Sequence, residues 1–257
     1  MGETALREQP AIMAHVALTI RGRRIEMDMG IPPGDRRPSE MLPLFRSVAE
    51  AMIDMSVGEE REAGRKVSCR KGCGACCRQL VPISAIEARE IAKVIDRMPP
   101  ARKQAILARF AAARKKLAEA EMLDPLRHPD QFTDEHMRLL GREYFSLAIA
   151  CPFLEDEACS IYADRPITCR EYLVTSPSEY CADPTAETVS MVPLPAGPVW
   201  TSVARLEQER GSRFIRWVPL ILALEFASRA QPEPPARPGT EWAQEFFRRF
   251  AREVKDV

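Results

Sequence analysis

Every cysteine of this chain falls into one of two groups. The first reads Cys69-Arg-Lys-Gly-Cys73-Gly-Ala-Cys76-Cys77, and the second comprises Cys151, Cys159, Cys169 and Cys181. Cysteines used as core fillers scatter over helix faces, whereas these eight stand outside the segments with clear helical or strand periodicity. Such clustering points to thiolates converging on a metal. Spacings of two or three residues bring sulfurs together at little cost in loop entropy. Gly72 and Gly74 suit a tight turn with positive φ that aims N–H groups at sulfur. A thiolate site is negative, and Arg70, Lys71, Arg78, Arg165 and Arg170 adjoin the cysteines, either to offset that charge or as plain surface residues. Adjacent side chains diverge, so one of Cys76 and Cys77 is expected to join Cys69 and Cys73 while the other meets the distal cysteines.

The expected ligand set is therefore Cys69, Cys73, Cys76, Cys77, Cys151, Cys159, Cys169 and Cys181. Zinc favours four-thiolate sites built from paired short knuckles, which the first group could supply. The second group has no such knuckle, and iron–sulfur clusters accept scattered thiolates, including a cysteine followed by proline as in Cys151-Pro152. The expected cofactor is an iron–sulfur cluster of the 4Fe-4S type, with Zn2+ as the alternative.

Composition narrows the setting. Of 257 residues, 46% are hydrophobic and 29% charged, as in ordinary soluble domains. Lysine plus arginine equal aspartate plus glutamate at 37 each, which gives no basic field for nucleic acid or an anionic membrane. Met1 to Pro10 lacks an apolar secretory core, and the longest strongly apolar run, Trp217 to Leu224, is far short of the roughly 20 residues of a membrane helix. The expected location is the cytoplasm, where clustered cysteines bind metal or do redox chemistry more often than they form structural disulfides.

The elements that must position these residues read as mainly α, with a small N-terminal β-hairpin and an irregular cysteine-rich metal-binding core. Val16, Leu18 and Ile20 alternate before Gly22, and Ile25, Met27 and Met29 after it, predicting a hairpin over 14–30. Ser39 is expected to open a helix to about Val57, with Pro43 in its first turn. Ser84-Ala-Ile-Glu87 is a capping box leading a helix with Ala88, Ile91, Ala92 and Ile95 on one face, which Pro99 and Pro100 end. A helix over about 101–123 buries Ile106, Phe110, Ala113 and Leu117 and turns Arg102, Lys103, Arg109, Arg114, Lys115 and Lys116 to solvent. Thr133 caps another helix toward Ala150. Residues 199–230 read as mostly helical with a break at Gly211. The expected organisation is one domain over 1–230 with its cysteine core at 66–182, a proline-rich linker at 231–239, and a helix over 240–257 capped by Thr240. That helix shows Trp242, Phe246, Phe247 and Phe250, an aromatic face to bury on this chain or on a protein partner.

As a set, the cysteine motifs resemble the YkgJ-type cysteine-cluster family, described as a zinc- or iron-chelating domain with eight cysteines. The match runs from Cys69 to Cys181 through Cys73-Gly-Ala-Cys-Cys77, Pro82-Ile-Ser84-x-x-Glu87, Cys151-Pro-Phe-Leu154, Cys159-Ser-Ile-Tyr162 and Arg165-Pro166-x-x-Cys169-Arg170. The resemblance implies metal binding through the eight positions, with Arg165, Pro166 and Arg170 supporting them. One spacing differs: three residues separate the first two cysteines here, against the family's two.

Other chemistries fit less well. Cys69-x3-Cys73-x2-Cys76 matches the radical S-adenosylmethionine signature, but that chemistry belongs to a partial β/α barrel, and this chain reads as helical. A cysteine nucleophile needs a base, and His15, His128 and His136 lie far from the cysteines in sequence. Gly72-x-Gly74 is half of a dinucleotide fingerprint. Two classes remain: an iron–sulfur oxidoreductase or protein-modifying enzyme, and a structural zinc module acting in metal handling or interaction.

Overall fold

The computed structural model describes residues 11–253 except 21, 183–187, 210, 211, 213, 230 and 231. The first ten residues and the break expected at Gly211 lie outside them. The alternating segments pair as the period of two requires: β1 (Ile12–Ile20) runs antiparallel to β2 (Arg23–Ile31), with Val16 opposite Met27, around Gly22 at φ 77°. Their apolar face buries Ile20, Met29 and Ile31 against the helical body.

After β3 (Asp35–Arg36) the chain makes a 3-10 turn over Pro38–Met41 and then enters α1 (Leu42–Glu62). Ser39 does not cap it, as the sequence suggested. The Arg37 N–H donates to the Glu40 carboxylate at 2.7 Å, while the Ser39 N–H and hydroxyl donate to Glu233. The helix also outruns Val57, because Glu60 takes both hydrogen bonds of the Arg65 guanidinium and extends the capped end. β4 (Pro82–Ile83) leads into α2 (Ala85–Asp96), capped by Ser84 as expected, and Pro99 and Pro100 then open α3 (Pro100–Glu119). Ile106, Phe110, Ala113 and Leu117 are its buried stripe. It stops short of 123: Glu121 takes φ 56°, and the chain turns into α4 (Leu123–Arg127). α5 (Asp134–Ser146) is capped by the Thr133 hydroxyl.

A two-residue turn joins β5 (Leu154–Glu155) to β6 (Ala158–Cys159), and α6 (Ile167–Glu171) and α7 (Val199–Ala204) follow. The mostly helical reading of 199–230 fails in its middle. Val218–Pro219 is a strand (β7) that pairs with β4, and helix returns as a 3-10 turn over Leu220–Leu222 that leads into α8 (Ala223–Arg229). Arg237–Pro238 (β8) pairs with β3, and α9 (Gly239–Glu253) begins one residue before Thr240. The aromatic stripe of α9 packs inside the chain: Trp242, Phe246 and Phe250 are buried, with the Phe246 ring 4.8 Å from that of Phe45 in α1. Each such burial is worth roughly 1.5–3 kcal/mol.

Three apolar clusters result. One joins the hairpin, α1, α7 and α9; a second joins α2, α3 and the start of α8; a third joins the end of α3 to α4 and α5. The fold is mainly α with a small N-terminal hairpin, and the cysteine loops run between these clusters. No helix among the described residues is long and apolar enough to cross a membrane.

Candidate metal centre

Backbone pairing brings the two cysteine groups together. The Ser68 N–H donates to the Val174 carbonyl at 2.9 Å, and the Val174 N–H donates to the Cys69 sulfur at 3.4 Å. Gly72 turns the chain at φ 88°, after which a 3-10 turn over Ala75–Arg78 carries Cys76 and Cys77. The Cys77 carbonyl accepts directly from the Cys151 N–H at 2.7 Å, so the first loop is stitched to the start of the second. Cys159 ends the β5–β6 hairpin, Cys169 sits in α6, and Cys181 lies buried in the 3-10 turn Ser178–Ala182. The side-chain amide of Gln79 donates to the Tyr172 hydroxyl at 3.2 Å and to the Cys181 carbonyl at 3.5 Å, tying that turn back to the first loop.

Gly74 acts differently from the expectation. Its φ is −100°, so the left-handed turn belongs to Gly72 alone. What Gly74 supplies is close approach. A Cβ there would stand 2.6 Å from Leu154 Cδ1 and 2.9 Å from the Glu157 carbonyl oxygen, both in the β5–β6 hairpin. Asp156 and Glu157 hold that hairpin's turn with φ of 48° and 56°, and Arg78 clamps it with hydrogen bonds of 3.1 and 2.7 Å to the Glu157 carboxylate, holding that carboxyl below its ordinary pKa. Gly74→Ala is thus expected to push the two loops apart and cost about 1–3 kcal/mol through overpacking. Gly72→Ala should act through backbone strain at its own turn. Urea unfolding of both variants, with metal content measured on each, checks this; an unchanged Gly74→Ala midpoint would remove the contact from the argument.

The sulfurs are neighbours in two overlapping sets. Cys69 and Cys181 both sense the charge of Cys73, Cys181 also senses Cys69, and Cys169 senses Cys151 and Cys159. Cys76 acts on Cys69, Cys151, Cys159, Cys169 and Cys181 alike. It is the residue between the sets, and Cys181 lies with the first group's cysteines although it belongs to the second in sequence. Burial pushes the Cys151 thiol up to about 12 and Cys181 to about 11. Cys76 is raised first by its hydrogen bond with Cys77 and then by burial. Burial therefore favours the protonated form of Cys76, Cys151 and Cys181. Among the described residues, no group of three His, Cys, Asp or Glu side chains is placed closely enough to hold a metal ion.

A cavity of about 80 Å³ lies among Cys69, Cys73, Cys76, Cys169 and Cys181, with Arg165 and Tyr162 at its wall. Arg165 stacks on the Tyr162 ring at 4.3 Å, and its Nε is buried with no hydrogen-bond partner among the described residues. An orphaned guanidinium donor facing thiols is a place for negative charge, and a thiolate-bound metal supplies it. The donor set, the unmet cation and the space between them fit a metal group. The flanking cations divide by role. Arg70 and Arg165 line the cavity, and Lys71 lies over Tyr162 at 5.8 Å. Arg78 is committed to Glu157, and Arg170 to Glu50 and the Ala163 and Arg165 carbonyls. Tyr172 and Gln79 were missed by sequence reasoning, which met Tyr162 only as part of the Cys159-Ser-Ile-Tyr162 motif. Each tyrosine follows a cysteine by three residues, Cys159 and Cys169, a repeat that could have singled them out.

Neither a curated protein nor a solved structure matches the chain. Residues 68–187, just under half of it, match the model of the CxxCxxCC family, whose description is "Putative zinc- or iron-chelating domain". The matched span contains every cysteine, the Arg78–Glu157 clamp, Arg165 and both cysteine-spaced tyrosines. Over residues 68–187 the chain is therefore similar to the CxxCxxCC family.

Proposed function

We propose that this domain binds metal through its eight cysteines, and that the metal is held as iron–sulfur of the 4Fe-4S type, four thiolates to a cluster. The observation that carries the reading is the cavity itself, walled by five cysteines and the unpartnered Nε of Arg165. About 80 Å³ exceeds the roughly 10–15 Å³ that one water needs, which is more room than a single zinc ion between four thiolates requires. Thiolates from four separate backbone segments suit a cluster better than a zinc knuckle. The cysteines would hold such a group as thiolates, Arg165 would offset its negative charge, and Gln79 with Tyr172 would keep the Cys181 turn in place.

Iron, zinc and acid-labile sulfide per chain, measured on protein purified without oxygen, test this directly. Iron with matching sulfide is the expected result, and redox titration would then ask whether the cluster serves an oxidoreductase or a protein-modifying reaction. Stoichiometric zinc without sulfide would replace the cluster with a structural ion and make the domain an interaction or metal-handling module. Absence of both metals would overturn the reading.

A further inference from the structure

A second and larger cavity, about 490 Å³, contains no cysteine. It lies between α2, α4, the turn after α7, β7 and α8, and its volume falls in the roughly 300–1,000 Å³ range of small-molecule sites. Trp217, Phe226, Leu126 and Leu222 give it apolar and aromatic walls. Two features of its polar groups point to a ligand.

The first is Gln208. Its side-chain N–H groups donate to the Ala204 carbonyl at 2.9 Å and the Arg216 carbonyl at 3.0 Å. Both donors are committed, so the amide cannot flip without setting its oxygen against two carbonyls. Its Oε1 is left buried with no partner among the described residues. A buried acceptor in this state is stabilised by an N–H or O–H brought to it.

The second is the rim. Arg127 and Arg229, with Arg114, share the single Glu225 carboxylate at 2.6–3.5 Å. Three guanidinium charges meet the Glu225 carboxylate, with Asp124 also acting on Arg127, which leaves one in excess beside an apolar cleft, where field lines concentrate on an anion. The deeper pair, Arg89 and Glu207 at 2.7 Å, is balanced and braces the wall beneath Phe226.

We infer that this cavity binds a small organic anion with a flat aromatic body, the ring between Trp217 and Phe226, an N–H or O–H on Gln208 Oε1, and the anionic group at Arg127 and Arg229. No part of this involves the cysteines, so it stands or falls separately from the metal reading.

The probe is 1-anilinonaphthalene-8-sulfonate, which carries all three features, titrated into the full-length protein as purified. One saturable fluorescent site per chain is expected. Arg229→Glu, an exposed change that leaves the core untouched, should weaken it about tenfold by removing one positive charge and adding a negative one. Gln208→Leu should weaken it by a smaller factor. The uncharged analogue N-phenyl-1-naphthylamine should bind more weakly and ignore Arg229→Glu. Non-saturable binding, or a sulfonate affinity unmoved by both variants, would overturn the proposal, as would equal affinity for the charged and uncharged probes.

Discussion

Cys76→Ser is expected to strip the domain of most of its metal, and to do so more completely than serine at any other single cysteine. The reason is position. Cys76 is the residue whose charge reaches both Cys69 and Cys181 on one side and Cys151, Cys159 and Cys169 on the other. Loss of a peripheral thiol such as Cys73 removes one donor from one set, whereas loss of Cys76 weakens the join between the sets. Apparent binding energies of about 10–16 kcal/mol shared over four ligands give roughly 3 kcal/mol per thiolate, or about a hundredfold in affinity. Loading should also weaken as pH falls, since each incoming metal must displace protons from thiols whose pKa burial has raised, Cys151 to about 12 and Cys181 to about 11. Metal per chain after dialysis against a competing chelator reads the effect. If Cys76→Ser kept its metal while Cys77→Ser lost it, the central role would pass to Cys77.

The same comparison shows where sequence is informative and where it is not. Local periodicity carried the hairpin, the capping box at Ser84 and the stripe of α3, because these depend on neighbours within a few residues. The end of α3 did not show because helix-forming residues run on through Ala118 to Leu123 without a Gly or Pro; the turn at Glu121 instead brings Met122 and Leu126 into the same cluster as Leu117. The strand at Val218–Pro219 is made by pairing with Pro82–Ile83, a partner far away in sequence that no local pattern names. The cysteines were legible as a set, but their grouping was not. Cys181 joins Cys69 and Cys73 through the Gln79–Tyr172 contacts, which are tertiary. Gly74 was recognised as special for the wrong reason, since a glycine selected for close approach looks the same in sequence as one selected for positive φ.

Glu87→Ala is expected to destabilise the fold as much as truncating a buried core aromatic. Glu87 is 2% exposed, and its carboxylate serves two helices. One oxygen accepts from the Ser84 N–H at 3.0 Å and the Ser84 hydroxyl at 2.8 Å, closing the capping box of α2. The other accepts from the Ile167 N–H at 2.7 Å, the first donor of α6, which carries Cys169. Both helix starts present unsatisfied N–H groups, and the charge sits well at the positive end of α2. Alanine strands two buried backbone N–H donors, frees the Ser84 hydroxyl and leaves a void. At about 1–3 kcal/mol for each stranded donor, the loss should come to roughly 3–5 kcal/mol. Glu87→Gln keeps the shape but turns an amide N–H group toward one of those donors, so it should recover only part of that. Glu119→Ala, on an exposed pair with Lys115 at 3.8 Å, should stay within about 0.5 kcal/mol. Urea midpoints for the three variants decide the matter, and a Glu87→Ala loss below about 1 kcal/mol would break the argument, because it would mean that the two donors find other partners. Because α6 also holds Cys169, the same variant should lose metal faster to a chelator, whereas Glu119→Ala should not. The capping box read from the sequence therefore does more than start α2: through Ile167 its glutamate fixes where a cysteine of the candidate metal centre begins.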